Sequence, residues 1–338
     1  MSKAVSNIIQ IDPTLAIPVY KQIVQSIVRN IESGTLLKDD LLPSVNKIAE
    51  EFSLARGSVF TAYNDLRASG IIDSIPGKGY YISSTETKQN KRIFLLFNSF
   101  SHYKEILYCT LVSSLPDTYT IDIHFYNNSI KMFENQIRQH AGYYNLFIIV
   151  PMINKHTPGV LSLLDNKSIY LLESGYKEYK KDFAGVFQNF EKDIHSMLLA
   201  RQEAISKYNR LILIAPNEPF TKDIILGFTK FSKKAIVATG VKTTINTEEI
   251  KQGDAYIIIE DKDLVELISY CRMHKLRLGR DIGVISYNES RLKSVVGNGV
   301  TTLSIDYEAM GKAIAEMIAS RRRETIENKY ILIDRKSF

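Results

Sequence analysis

Through residue 82 the apolar positions recur mostly at spacings of three and four, the period of an amphipathic helix. Pro18 can open a helix at its first turn, and Val19, Ile23, Val24, Ile27, Val28 and Ile31 then form one stripe that Gly34 ends. In LLPSVNKIAEEFSL, Pro43 fixes the entry and Ser44 can cap a second helix whose inner face is Val45, Ile48, Ala49 and Phe52. A third helix follows in ARGSVFTAYNDLRASG, with Val59, Ala62, Tyr63 and Leu66 inward and Gly70 at its end. IIDSIPGKGYYIS then has two β-branched and aromatic arms around Pro76, Gly77 and Gly79, the pattern of a hairpin.

The texture changes across SSTETKQNKR, which is polar and lacks apolar periodicity. Residues 83–91 are expected to be a linker between an N-terminal module, 1–82, and a larger region, 92–338. Beyond it, apolar runs at 93–98, 121–126, 146–151, 169–172, 185–187, 211–215, 255–259 and 283–287 predict strands. Helix patterns fall between them at 103–114, 133–140, 191–208, 263–274 and 307–320. Buried runs alternating with helices predict parallel sheets, and so many strands predict two lobes. The expected fold class is α/β: an N-terminal winged helix-turn-helix plus a two-lobed α/β sandwich.

Two short helices joined by a tight turn, the second opening on polar residues, match a helix-turn-helix. Arg56 stands at the start of that second helix, where a cation opposes the helix dipole and so points to a partner outside the chain. Its guanidinium suits guanine O6 and N7, and the Ser58 hydroxyl suits a phosphate. Lys78 between Gly77 and Gly79 gives a thin, positive hairpin tip. Ser44 is either a helix cap alone or a cap that also touches DNA.

Composition narrows this little. The net charge of +6, from 43 basic and 37 acidic residues, suits a polyanion without establishing one, and Glu50 and Glu51 offset bases in the N-terminal module. No apolar run reaches the roughly 20 residues that cross a bilayer, and MSKAVSNIIQ lacks a signal-peptide pattern, so a cytoplasmic protein is expected. Cys109 and Cys271 are expected to be buried free thiols. The scattered histidines offer no metal spacing, and neither a metal nor a cofactor is expected.

The PVYKQI opening, LPS before the second helix, F-x-L-x-R-x-S-V, A-Y-x-x-L and G-x-G-Y resemble the GntR-type winged helix from Pro18 to Ile82. The resemblance implies DNA contacts at Ser44, Asn46, Arg56, Ser58 and the wing glycines, and Lys47 and Lys78 join these candidates. Ala55, Phe60, Val45 and Asn46 depart from the residues frequent in that family, so the site read should differ from its usual operators.

KRIFLLFNSF, the run from DAYIIIEDKD to IGVISYNES, TTLSIDYEAMGKAIAEMI and IDRKSF resemble the periplasmic-binding-protein-like effector domain of LacI-type regulators. That resemblance implies two lobes closing on a small polar ligand at strand C-termini. The candidates are Asn98, Ser99, Glu173, Gln188, Asn189, Glu260 and Asn288, with Phe100, Tyr103 and Tyr287 as stacking groups. Asn288 stands where the family has an aspartate.

The function expected is a homodimeric transcription regulator that binds double-stranded operator DNA under control of a monosaccharide, such as a pentose or deoxyhexose, or a sugar derivative. A nucleobase or amino-acid derivative is the alternative effector. An enzyme fused to the DNA module is a further alternative, but no G-x-S-x-G, P-loop or strand-anchored G-x-G-x-x-G supports it. A fused aminotransferase would need more chain than residues 92–338 supply.

Overall fold

The computed structural model describes residues 5–86, 91–218 and 221–338. Residues 87–90 of the expected linker lie outside the described residues. The N-terminal module comprises α1 (Val5–Ile8), α2 (Val19–Glu32), α3 (Val45–Glu51), α4 (Arg56–Ala68), β1 (Ile72–Ile75) and β2 (Gly79–Ile82). Ile23, Ile27 and Ile31 of α2 share one core with Ile48, Val59, Ala62, Tyr63, Leu66, Ile72 and Ile82, as the spacing predicts. Tyr63 ties this module together. Its hydroxyl donates to the Pro43 carbonyl at 2.7 Å, and its ring meets Tyr80 edge-on at 4.7 Å, joining α4 to the entry of α3 and to the hairpin. Burial of this ring holds the phenol proton far more tightly than in water.

The apolar pattern does not announce Gln22 and Ser26, which are also buried on the inner face of α2. Gln22 accepts from the Asp12 amide at 2.8 Å and donates to the Ile17 carbonyl at 2.8 Å. Ser26 exchanges hydrogen bonds with the backbone of Gln10. These polar groups fasten the preceding segment across the helix. That segment continues to the rest of the same unit: the Ala16 amide donates to the Leu163 carbonyl at 2.9 Å, and Lys21 lies 3.5 Å from the Tyr143 ring centroid. Arg29 pairs with Asp165 at 2.9 Å.

Beyond the module run β3 (Lys91–Phe97), α5 (His102–Ser114), β4 (Tyr119–Phe125), α6 (Ile130–His140), β5 (Leu146–Ile149), α7 (Thr157–Leu161), β6 (Ile169–Glu173), α8 (Tyr176–Tyr179) and β7 (Ala184–Phe187). Next come α9 (Phe190–Ala200), α10 (Gln202–Ile205), β8 (Arg210–Ile214), α11 (Lys222–Ser232), β9 (Ala238–Lys242), β10 (Asp254–Ile258), α12 (Asp261–Met273) and β11 (Gly283–Tyr287). The chain finishes with β12 (Thr301–Ile305), α13 (Tyr307–Ala319), β13 (Thr325–Glu327) and β14 (Tyr330–Ile333).

These strands make two six-stranded sheets, ordered β13-β7-β6-β5-β3-β4 and β14-β12-β11-β10-β8-β9. Neighbours β3/β4, β3/β5, β7/β13, β8/β9, β8/β10, β10/β11 and β11/β12 are parallel; β12/β14 is antiparallel. Strands β10 and β11 are buried throughout, which is why they read as unbroken apolar runs. By backbone contacts the chain forms two units, Met1–Ser99 with Pro116–Tyr170, and Phe100–Leu115 with Leu171–Phe338.

Three expectations need correction. The helix expected over 191–208 is two, because the chain breaks at Arg201 between α9 and α10. Cys109 is exposed on the outer side of α5, while Cys271 is buried and its thiol pushed up to about 11 by desolvation. Strands β9, β12, β13 and β14 and helix α11 escaped the apolar-run reading. In β12 (TTLSI) all residues are buried, but Thr302 and Ser304 are carried inside by hydrogen bonds to Glu289.

Candidate nucleic-acid interface and effector site

Ser44 is the N-cap of α3: its Oγ accepts from the Lys47 amide at 3.2 Å, leaving its own proton for an outside acceptor. Asn46 and Lys47 follow in the first turn, both exposed. Arg56 is the first residue of α4 and exposed; its N-cap, Ala55, offers no side-chain bond, and the first turn holds no acid. Ser58, half-buried, lies in that same turn. At the wing, the pair Ile75↔Gly79 closes the loop carrying Lys78. Gly77 and Gly79 take φ of 81° and 99°, a left-handed backbone that admits side chains poorly. Among the described residues Lys47, Arg56 and Lys78 have no acidic partner, so three cations around one helix-turn-helix and its wing are left to solvent or to a polyanion.

The effector candidates fall at strand ends. In the first unit, Asn98 and Ser99 follow β3, half-buried; Asn98 donates to Asn128 at 3.4 Å, and its Oδ1 is buried without a hydrogen-bond partner.

In the second unit, Glu173 ends β6 and Asn288 follows β11, with φ of 64° and 61°. A left-handed residue other than glycine costs about 1–3 kcal/mol and recurs where a site imposes the backbone. The Glu173 carboxylate pairs with Lys104 of α5, the two side chains being only 14% and 6% exposed. Beside Lys104, Tyr103 stacks on Tyr307 at 5.8 Å with 12° between the rings. The Asn288 amide lies against the Tyr103 hydroxyl, and burial pushes that phenol up to about 12. Asn288 Oδ1 is buried without a hydrogen-bond partner. Lys293 holds the Asn288 loop, donating at 2.8 Å to the carbonyls of Tyr287 and Asn288 and pairing with Asp261. Its desolvation lowers the ammonium pKa, which Asp261 partly offsets.

The other candidates have protein partners. Gln188 is buried; its amide nitrogen donates to Asp193, and its oxygen accepts from Asn328 at 2.9 Å. Asn328 also reaches the Asp306 carbonyl at 3.3 Å. Gln188, Asn328 and Asp306 follow β7, β13 and β12, so one network, buried at Gln188 and Asn328, joins the three chain crossings between the sheets. Asn189 caps α9, and Glu260 precedes α12, paired with Lys262 at 2.7 Å. Of the stacking candidates, Tyr287 is committed to the core and Phe100 is 79% exposed.

The structure thus brings Glu173, Gln188 and Asn288 near one another: the Gln188 amide donates to the Glu173 carbonyl at 2.7 Å, and Tyr103, beside the Glu173 partner Lys104, meets Asn288. Sequence reasoning missed the groups around them, Lys104, Tyr307, Lys293, Asp193 and Asn328. One of them left a readable signal. Lys104 occupies the inward stripe of α5 with Leu107 and Leu111, where a cation must find a partner. No group of three or more His, Cys, Asp and Glu residues suited to a metal occurs among the described residues, and no helix there is long and apolar enough to cross a membrane.

A capped helix, a cation-headed second helix and a hairpin wing, followed by two mostly parallel sheets joined by three crossings, define a winged-helix module carried on a periplasmic-binding-protein-like fold. Residues 19–82 match the family described as Bacterial regulatory proteins, gntR family, and residues 210–338 match the Periplasmic binding protein-like domain. The chain therefore carries a gntR-type winged helix-turn-helix over residues 19–82 and, after it, a periplasmic-binding-protein-like fold.

The HTH-type transcriptional repressor YtrA of Bacillus subtilis is 39% identical over 75 residues, 22% of this chain and 58% of that protein. NagR, an HTH-type transcriptional repressor of the same organism, is 33% identical over 73 residues, 22% of this chain and 30% of that protein. The chain thus spans little more than half of YtrA and less of NagR. Among solved structures, the Lac repressor bound to ONPG in the repressed state has a TM-score of 0.62 at 14% identity, covering 84% of this chain and 90% of that one. A LacI-family regulator from Corynebacterium glutamicum has a TM-score of 0.55 at 16% identity, covering 73% and 98%. At such identities the likeness is one of fold.

Proposed function

We propose that this protein is a transcription regulator, 1–82 binding operator DNA and 92–338 binding a small polar effector that sets operator affinity. The unpaired cations Lys47, Arg56 and Lys78 carry this reading, Arg56 above all, since a folded chain gains nothing by placing a cation at the uncapped N-terminus of α4. Ser44, Asn46 and Ser58 add hydrogen bonds to phosphate or base edges, and Gly77 and Gly79 keep the wing thin. The protein acts as a homodimer, because helix-turn-helix modules read two half-sites.

The effector is a monosaccharide, such as a pentose or deoxyhexose, or a sugar derivative. Within the second unit it is met by Asn288 Oδ1, Glu173 and the Tyr103 ring, with Gln188, Asn189 and Glu260 as further strand-end groups.

Selection from randomised duplexes tests the DNA reading, and no enriched sequence would refute it. A thermal-shift panel of sugars and amino-acid derivatives tests the rest, since an effector must both raise the melting temperature and change operator affinity. A ligand that is chemically turned over would point to an enzyme instead.

A further inference from the structure

We propose that Phe60 reads the methyl group of a thymine in the operator; this rests on the DNA-binding reading above and adds a base contact to it. Helix α4 has two faces. Val59, Ala62, Tyr63 and Leu66 are fully buried, whereas Phe60 is 51% exposed, one turn beyond Arg56 on the outward face. The ring is not among the residues that make up or pack against the module's core.

Gly57, between them, supplies an independent observation. It lies in the first turn of α4, and a Cβ built there would meet nothing within 4 Å. The fold thus does not require glycine where alanine makes a better helix, so its smallness serves something that approaches the backbone from outside. Thr61 donates to the Gly57 carbonyl at 2.8 Å, so its hydroxyl is engaged within the helix. Arg56, Gly57 and Phe60 are left as a surface with a cationic donor, a flat backbone and an apolar ring.

In the major groove the apolar group on a base edge is the C5 methyl of thymine. Four residues of helix advance about 6 Å, roughly two base-pair steps of 3.4 Å. The thymine therefore lies about two steps from the base that Arg56 contacts.

The test uses the full chain and its selected operator, with each thymine replaced in turn by uracil, which removes only the methyl. At one position wild type should bind uracil about fourfold more weakly, the worth of one buried methyl. Phe60→Ala should bind the thymine operator more weakly, ignore the exchange at that position and melt as wild type does. Phe60→Leu should keep part of the discrimination. Equal wild-type binding to thymine and uracil at every position would overturn the proposal, leaving Phe60 against sugar or phosphate if Phe60→Ala still weakened binding. If no operator is enriched at all, the DNA reading itself falls, a failure visible before any uracil is introduced.

Discussion

Replacing Asp193 with asparagine removes a carboxylate that the fold buries at the junction of the chain crossings. Asp193 is 5% exposed in the first turn of α9 and accepts from Gln188; Lys192 is too exposed to compensate its burial, and Glu327 adds a like charge. Burial pushes the carboxyl from 3.8 up to about 6. The folded protein thus holds a proton that the unfolded chain has already released between these values. Stability attributable to this group is greatest below the unfolded value, falls as pH rises through the window, and levels off above about 6. At about 1.4 kcal/mol for each pH step of that window, the effect amounts to about 3 kcal/mol.

The amide that replaces the carboxylate cannot ionise, yet its carbonyl oxygen still accepts from Gln188. Asp193→Asn should therefore match wild type at low pH and exceed it by up to about 3 kcal/mol at neutral pH. The chain has no tryptophan, so urea unfolding is best followed by far-ultraviolet circular dichroism across the window. Identical pH profiles for the two proteins, or a variant less stable than wild type at neutral pH, would refute the argument.

Three further outcomes are expected. Arg56→Ala should relax operator preference at one base position by about 1–3 kcal/mol, measured by selection from randomised duplexes; an unchanged preference removes Arg56 from base reading. Lys78→Ala should weaken binding similarly for all sequences and reduce the log–log salt slope by about one unit; an unaltered slope makes the wing purely structural. Asn288→Ala should retain operator binding but respond only at higher effector concentration, losing about 1–3 kcal/mol in calorimetry; equal effector affinity would leave Asn288 as a turn residue.

What the sequence displays and what it hides follow from where each residue's partners lie. In the N-terminal module the partners are local: Ser44 caps a helix three residues away, and Gly77 and Gly79 shape a turn beside them. Inward spacing alone therefore locates the core and the exposed cations. In the larger region, apolar strands such as β10 and β11 are plain, while β12 is masked by threonine and serine whose partners, Glu289 and Arg335, are remote in sequence. The effector candidates show the same limit. Glu173 and Asn288 are readable as strand ends, but Lys104 is 69 residues from Glu173, and Asn328 is 140 from Gln188. No periodicity reveals such pairings. Phe60 is legible in the sequence only as a departure from the family, and its half-exposed place on α4 is visible only in the fold.

The division of α4 into two faces also bears on how such a protein changes its address. Every fully buried position on the helix belongs to folding, and Arg56, Phe60 and Asn64 lie outside that set. A lineage can exchange these outward residues without re-solving the packing of the module, because no core neighbour must change with them. If the outward face of α4 reads operator DNA as proposed, two copies can drift toward different sites after gene duplication while each remains foldable at every step. The same separation lets an engineer treat the outward face of α4 as rewritable text on a fixed page.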